Sequence, residues 1–234
     1  MTFPGTAAVP DRARVVVVGG GVIGASVAYH LAHLGMPDVV LLERDRLTSG
    51  TTWHAAGLMA TFGSTSQTST ELRMYTRDLY ARLEAETGQA TGLRQVGLIE
   101  LAIEPGRLEE YRRVAAFNRL CGVEVHEISP GEVARLFPMA RVDDVLAGFY
   151  IPADGRVNPV DVTMALAKGA RLRGARILFG AVLIAENGVI RVGWYATTTL
   201  RTWTVCQRRS RISLVTASLV ETCPDDRACR RCPS

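Results

Sequence analysis

Three glycines are spaced so that their backbone could bind the phosphates of a nucleotide. Gly19, Gly21 and Gly24 fit the pattern G-x-G-x-x-G, directly after a short β-branched run. In this pattern the first glycine makes a tight turn, the second lets the backbone approach a pyrophosphate, and the third lets the next helix pack closely on the strand. The N–H groups of Val22 and Ile23, at the start of that helix, would point at the phosphates together with the positive end of the helix dipole.

The elements around the glycines are those of a dinucleotide-binding unit. Residues 15–18 predict a buried strand, residues 22–34 a helix, and residues 39–42 a second strand. Glu43 follows that strand, 19 positions after Gly24, where a carboxylate accepts hydrogen bonds from adenosine ribose hydroxyls. A carboxylate here disfavours a 2′-phosphate and argues against NADP. The fingerprint does not separate FAD from NAD, and the alternative is a glycine-rich turn without a ligand.

The segment after the second predicted strand distinguishes between these cofactors. Residues 44–63 are rich in Gly, Ser and Thr, and a loop of this length inside a compact domain is usually functional. In an FAD-binding fold with two dinucleotide-binding motifs, the chain here would run along the cofactor toward the isoalloxazine ring. Small residues would let the backbone pass, and threonine hydroxyls would reach the phosphates. The residues expected to contact the cofactor in this segment are Arg44, Gly50, Thr51, Thr52, Trp53, His54, Ala55, Ala56, Gly57 and Leu58.

The rest of the chain alternates between predicted helices and strands, as in an α/β fold. Helical spacing covers residues 70–88, 104–121 and 159–173, and strands are predicted at 97–103, 123–128, 146–151 and 175–179. A further helix is predicted to start after Ser129, which would cap it, with Pro130 at its first position and Glu132 three residues after the cap.

Composition argues against several classes of protein. The 234 residues correspond to one domain or one and a half. The net charge of +4 comes from arginines that are scattered among acidic residues, so no nucleic-acid binding is expected. No stretch approaches the ~20 apolar residues of a membrane span, and the N-terminus lacks a signal-peptide pattern, so we expect a cytoplasmic protein without membrane binding. Cys121 is the only cysteine before residue 200, which excludes a disulfide framework in the main body.

Residues 14–185 resemble the dimethylglycine and sarcosine dehydrogenase family of FAD-dependent amine oxidoreductases, within the wider D-amino-acid-oxidase-like superfamily. The matching stretches are VVVVGGGVIGASVAYHLAHLGMPDVVLLERDRLTSGTTWHAAGL, LEAETGQATG and LFPMARVDDVLAGFYIPADGRVNPVDVTMALAKGARLRGARI. The resemblance implies an incomplete α/β, Rossmann-like FAD domain of the two-dinucleotide-binding type, with the start of a substrate-domain sheet. The flavin-bearing histidine of the family lies in a Thr-Trp-His-x-Ala-Gly-Leu run, where His54 stands, so a covalent bond between His54 and FAD is implied. On its residue type alone, an ordinary loop histidine would be the favoured interpretation of His54, and the resemblance decides against it.

The resemblance also implies a chemistry. Family enzymes oxidise the N-methyl group of a small amino acid, such as sarcosine or dimethylglycine, by hydride transfer to the flavin, and water or tetrahydrofolate captures the one-carbon unit. Tetrahydrofolate is expected only in a full-length parent, and neither the arginine that pairs with the substrate carboxylate nor any other catalytic residue is identified. A regulatory branch of the same fold lacks the Trp-His pair, which favours the enzyme. A non-catalytic FAD- or nucleotide-binding regulatory fragment remains the alternative, and an NAD-dependent dehydrogenase, which gives His54 no role, is a third.

The end of the chain does not resemble the family. We expect residues 1–13 to be a flexible leader, residues 14–190 the N-terminal portion of the FAD-binding oxidoreductase domain, and residues 191–234 a tail that is frameshifted or disordered. Cys229 and Cys232 form one C-x-x-C pair, but no second pair completes a zinc site, so no metal is expected. The sequence therefore predicts a truncated form of an FAD-dependent amine dehydrogenase or oxidase.

Overall fold

The computed structural model describes residues 13–186, 189–196, 199–205 and 213–216, with side chains over residues 13–181. Its helices are α1 (Val22–His33), α2 (Gln67–Thr87), α3 (Pro105–Leu120), α4 (Pro130–Leu136) and α5 (Pro159–Leu172), and a short 3₁₀ helix covers Thr51–His54. Its strands are β1 (Val15–Val18), β2 (Val39–Glu43), β3 (Leu58–Met59), β4 (Leu98–Ala102), β5 (His126–Ile128), β6 (Ala147–Ile151), β7 (Gly155–Arg156), β8 (Arg176–Phe179), β9 (Ala181–Glu186), β10 (Val189–Ala196), β11 (Thr199–Val205) and β12 (Ser213–Thr216).

A four-stranded parallel sheet in the order β12-β1-β2-β8 contains the predicted nucleotide-binding strands. β1 pairs with β2 from Val15 opposite Val39, and β2 pairs with β8 from Val40 opposite Arg176. Every residue of β2 is buried, which fits a parallel sheet covered on both faces and agrees with the unbroken apolar run in the sequence. The α/β architecture predicted from the sequence is confirmed.

Helices α1, α2 and α5 pack against one face of this sheet. A single core cluster joins alternate residues of β1 and β2 with the apolar sides of the three helices. Helices α1 and α5 approach each other closely because Gly169 faces Tyr29, and a Cβ at Gly169 would lie 2.8 Å from the tyrosine ring. The other face of the sheet has a smaller core made of Val16, Val40, Leu42, Leu178 and Ala181.

A second sheet is antiparallel, in the order β4-β6-β5, and packs with α3. Phe149 of β6 is fully buried there, with its ring 6.0 Å from the ring of Phe62 and 5.5 Å from that of Tyr111, measured between centroids. The molecule thus contains a second sheet with its own core, as the predicted fold class requires.

Capping residues determine where some helices begin, and these positions differ in part from those predicted from hydrophobic periodicity. The Ser66 side chain accepts a hydrogen bond from the Ser69 N–H, so α2 begins at Gln67 and not at residue 70 as predicted. The capping box at Ser129 is confirmed, since Ser129 and Glu132 bond reciprocally at the start of α4. The predicted loop 44–63 contains the 3₁₀ helix and β3, which pairs with β7.

The chain after β8 continues in strands. β9, β10 and β11 form an antiparallel sheet, and β12 lies parallel to β1. The nature of the tail at residues 191–234 stays a prediction, and Cys223, Cys229 and Cys232 lie outside the described residues, as do residues 1–12. In the part of the chain that the structure describes, no helix has the length and apolarity needed to cross a membrane.

Tyr29 joins α1 to α2 through its hydroxyl group. The hydroxyl donates to Glu86 Oε2 at 2.6 Å, and Arg173 Nη2 bonds the same oxygen at 3.2 Å. Burial, together with the bond to Glu86, raises the pKa of Tyr29 to about 12, and the hydrogen bond from Tyr29 lowers the pKa of Glu86. At neutral pH the bond therefore joins a protonated phenol to an ionised carboxylate.

We predict that Tyr29→Phe lowers the free energy of unfolding by about 1–3 kcal/mol at neutral pH, because an ionised, partly buried acceptor loses a donor. The depressed pKa of Glu86 means that this contribution is present above the unfolded-state pKa and is lost as the pH falls through the folded-state value. Thermal unfolding at neutral pH and at about pH 3 measures both effects. Tyr80→Phe is the control, since no hydroxyl hydrogen bond of Tyr80 occurs among the described side chains; equal losses in the two variants would contradict the prediction.

Candidate active site

The turn between β1 and α1 brings the glycines to the carboxyl end of the parallel sheet. Gly19 has a φ of 100°, which favours glycine, and its N–H donates to the carbonyl of Leu42 at 2.8 Å. Gly21 precedes α1 and provides no side-chain cap. Because a helix leaves its first N–H groups without intrahelical partners, those of Ile23 and Gly24 remain available to an anion.

Glu43 is buried at the end of β2 and holds the glycine turn in place. Its Oε2 accepts a hydrogen bond from the Gly20 N–H at 2.6 Å, and its Oε1 accepts one from the Asp45 N–H at 2.9 Å. The predicted role of Glu43 was to bind ribose hydroxyls, and the structure adds that the same carboxylate fixes the turn. Each carboxylate oxygen has a further lone pair, so the two roles are compatible.

Gly20 belongs to the site although the sequence pattern does not single it out. A Cβ at this position would lie 2.7 Å from Leu47 Cδ2 and 2.9 Å from Glu43 Oε2. Gly20 occupies a variable position of the G-x-G-x-x-G pattern, so the pattern offers no reason to include it. The run of three consecutive glycines is the signal that could have indicated it.

Thr52 connects the histidine-containing loop to the start of α1. The side chain is buried, and its Oγ1 accepts a hydrogen bond from the Val22 N–H at 3.0 Å. A Cβ on Gly21 would approach the same oxygen to 3.0 Å. The structure thus brings Gly21, Val22 and Thr52 together. The Val22 N–H, predicted to point at the phosphates, is instead bonded to Thr52, whose hydroxyl proton can still be donated to a ligand.

His54 ends the 3₁₀ helix and is exposed. Its ring meets that of Trp53 edge to face, with centroids 3.7 Å apart, and Trp53 is itself 60% exposed. Thr51, Ala55 and Ala56 on either side of this pair are also exposed. An imidazole in this position is accessible to a ligand that lies along the loop.

Gly57 and Leu58 fix the end of the loop. Gly57 has a φ of 73°, and a Cβ there would collide with the carbonyl of Val157. The Val157 N–H donates to the Gly57 carbonyl at 2.8 Å, and Leu58 pairs with Arg156. Gly57 therefore has a packing role within the protein, besides the cofactor contact predicted for it.

Ile23, Arg44 and Gly50 were also predicted to contact the cofactor, and they too are exposed or face open space. Ile23 is 63% exposed, the side chain of Arg44 is exposed, and a Cβ on Gly50 would meet nothing within 4 Å. These positions leave room for a ligand, and their contact with one stays a prediction.

A buried carboxylate that the sequence patterns do not indicate supports the far end of the loop. Asp154, in the turn between β6 and β7, is fully buried; its Oδ2 accepts the Thr61 N–H at 2.8 Å and its Oδ1 accepts the Thr61 hydroxyl at 2.7 Å. Both donors come from one residue, and together they compensate the burial of the charge. The residues are 93 positions apart, so no local pattern connects them.

A family model described as FAD dependent oxidoreductase (DAO) matches residues 14–215, which is most of the chain. The protein belongs to the FAD dependent oxidoreductase family. The match begins next to β1 and includes the glycine turn, Glu43 and the histidine-containing loop. The family predicted from the sequence is confirmed.

Curated relatives of the chain include two dehydrogenases and a regulatory subunit. The mitochondrial dimethylglycine dehydrogenase of Rattus norvegicus is 44% identical over 171 residues, which are 73% of this chain and 20% of the relative. The mitochondrial sarcosine dehydrogenase of Homo sapiens is 45% identical over 170 residues, or 72% and 18% of the two chains. The mitochondrial pyruvate dehydrogenase phosphatase regulatory subunit of Mus musculus is 40% identical over 170 residues, or 73% and 19%. The chain thus spans about a fifth of the length of these relatives.

Solved structures share the fold. Glycine oxidase from Geobacillus kaustophilus gives a TM-score of 0.67 at 28% identity, over 88% of this chain and 55% of that one. L-proline dehydrogenase from P. horikoshii gives a TM-score of 0.73 at 23% identity, over 90% and 54%.

The geometry of the glycine turn fits the cofactor in the family's description. The turn at Gly20 is packed too closely for a Cβ, and the first turn of α1 contains no acidic residue that would repel a pyrophosphate. Glu43 stands beside this turn with lone pairs available to hydroxyl groups. The residues present could therefore hold the diphosphate and ribose of FAD.

We predict that Gly20→Ala weakens FAD binding and lowers the free energy of unfolding by about 1–3 kcal/mol, because the added methyl group displaces Glu43 or Leu47. Thermal unfolding without FAD measures the loss of stability, and titration with FAD measures the loss of affinity. Gly106→Ala is the matched control, since a Cβ on Gly106 in α3 meets nothing within 4 Å. Indistinguishable behaviour of the two variants would show that the close packing of the turn is unimportant.

Proposed function

We propose that the chain is the FAD-binding part of an enzyme that oxidises N-methyl amino acids, with FAD attached covalently to His54. The observation that carries the proposal is the position of His54, exposed beside Trp53 in a 3₁₀ helix that Thr52 ties to the start of α1. Relatives named dimethylglycine dehydrogenase and sarcosine dehydrogenase, at 44% and 45% identity, support the substrate class.

The glycine turn would hold the cofactor by its polar groups. The N–H groups of Ile23 and Gly24, at the positive end of α1, would donate to the pyrophosphate. The free lone pairs of Glu43 would accept hydrogen bonds from the ribose hydroxyls. Because two backbone N–H groups already orient the Glu43 carboxylate, little conformational freedom is lost when the ligand binds.

Trp53 would orient His54 for covalent attachment. The edge-to-face contact between the two rings restricts the directions in which the imidazole nitrogen can point. A bond to the flavin requires one such direction, so a restricted ring is better suited to it than a freely rotating one. When bound, FAD would supply the acceptor for a hydride from the N-methyl carbon.

A second function has one observation in its favour. The mouse phosphatase regulatory subunit is 40% identical to this chain, close to the values for the two dehydrogenases. A regulatory protein of this fold would bind FAD or another nucleotide without oxidising an amine. We favour the enzyme because a regulatory function gives the Trp53–His54 pair no role.

We predict that the purified chain, loaded with FAD and precipitated with acid, stays yellow, whereas His54→Ala gives a colourless pellet. Acid unfolds the protein and releases a flavin that is held without a covalent bond, so the colour of the pellet reports the attachment. His126→Ala, which removes an exposed imidazole from β5, should leave the pellet yellow. A colourless wild-type pellet below a yellow supernatant would show that FAD binds reversibly.

We predict that dimethylglycine, added without oxygen, bleaches the visible absorbance of the flavin bound to the wild-type chain. Glycine betaine, the quaternary analogue, should not bleach it, because it has no nitrogen lone pair to stabilise the carbon that loses hydride. Absorbance spectra recorded during anaerobic titration provide the measurement. A chain that binds FAD and is bleached by neither compound would support the regulatory alternative.

A further inference from the structure

One buried threonine differs from the others in the part of the chain that the structure describes. Thr48 is 9% exposed, yet its hydroxyl group forms no hydrogen bond with residues 13–181, whose side chains are described. The hydroxyl groups of the other buried threonines all take part in hydrogen bonds, and these residues are Thr52, Thr61, Thr70, Thr87, Thr91 and Thr163. Because a buried polar group without a partner costs free energy, the Thr48 hydroxyl stands out as a group that could bond a ligand.

The backbone of Thr48 is strained as well. Its φ is 71°, in the left-handed region that β-branched residues avoid because of their two γ atoms. The other non-glycine residue with a positive φ in the described part of the chain is Asp38, and aspartate tolerates this region better. A strained residue persists only where the surrounding structure fixes it, and such residues cluster at ligand sites. Two independent anomalies thus coincide at Thr48.

Direct contacts place Thr48 beside the glycine turn. Its N–H donates to the carbonyl of Gly20 at 3.0 Å, while the Gly20 N–H donates to Glu43 at 2.6 Å. The preceding residue, Leu47, is so close that its Cδ2 would lie 2.7 Å from a Cβ on Gly20. Both polar groups of the Gly20 backbone are therefore bonded to the segment that includes the end of β2 and Thr48. The strained residue lies next to the turn that would hold the diphosphate of FAD.

We propose that the Thr48 hydroxyl donates a hydrogen bond to the adenosine diphosphate half of FAD. The left-handed backbone of Thr48, fixed by the bond to Gly20, would hold the hydroxyl in place for this contact. Phosphate oxygens only accept hydrogen bonds, so they complement a hydroxyl donor that has no acceptor among the described residues. The proposal rests on the binding of FAD at the glycine turn, which is part of the proposed function, and not on attachment to His54 or on amine oxidation.

Calorimetric titration of the full chain with ADP tests this contact, because ADP has no flavin that could attach to His54. Thr48→Val removes the hydroxyl and keeps the β-branched shape. We expect it to weaken ADP binding roughly tenfold to a hundredfold, since a hydrogen bond to a charged group is lost. The midpoint of thermal unfolding without ADP should stay the same or rise, because the free protein loses a buried group that has no partner. Thr48→Ser retains the hydroxyl and should bind ADP like the wild type.

Thr87→Val is the matched control. The Thr87 hydroxyl, buried at the end of α2, donates to the carbonyl of Leu83 at 2.7 Å and accepts the Gln89 N–H at 3.2 Å. Valine should therefore lower the unfolding midpoint here and leave the affinity for ADP unchanged. The same substitution thus has opposite consequences at the two threonines.

Unchanged ADP affinity of Thr48→Val, or no binding of ADP by the wild type, would overturn the proposal. A loss of stability in Thr48→Val as large as that in Thr87→Val would also overturn it, because the hydroxyl would then have a partner in the free protein. Thr48-dependent ADP binding, combined with a colourless wild-type pellet after acid precipitation, would retain this contact and reject covalent attachment. A yellow pellet with ADP binding independent of Thr48 would retain the attachment and reject this contact.

Discussion

The hydrogen bond from the Gly20 N–H to Glu43, 2.6 Å long, holds the end of β2 against the turn that follows β1. Glu43 is buried, so its charge needs donors, and it obtains one at Gly20 because that position has no Cβ. The same contact leaves a carboxylate beside the N-terminus of α1, where a nucleotide ribose would lie next to its phosphates. The shape of the turn and the chemistry of the proposed cofactor site thus depend on one interaction.

The position of His54 follows from contacts made by other residues of its loop. The loop is bonded to the start of α1 through Thr52, to the segment after β7 through Gly57, and to the β6–β7 turn through Thr61. Two of these contacts involve buried polar atoms, which are costly to separate from their partners. A segment fixed at three places can hold a histidine in a constant position although the histidine itself is exposed.

Features of the structure could be predicted from the sequence where the residues that determine them lie close together along the chain. The strand–glycine–helix–strand unit and the cap at Ser129 were predicted because their signals lie within a few dozen residues, and the structure confirms them. The contact of Asp154 with Thr61 and that of Gly57 with Val157 could not be predicted, because each joins distant segments through a backbone group that any sequence provides. Gly57 illustrates the difference. The sequence predicts that it contacts the cofactor, but it does not show that any side chain here would collide with the carbonyl of Val157, 100 residues later.

The N-terminal ends of the helices differ in whether an acidic residue lies there. α4 and α5 contain an acidic residue in their first turn, Glu132 and Asp161, and Glu104 precedes α3 at its N-cap position. An acidic residue at this place interacts favourably with the helix dipole, typically by about 0.3–1 kcal/mol. α1 and α2 have none and begin after Gly21 and Ser66. The positive end of α1 is therefore left for another anion, which we propose to be the pyrophosphate.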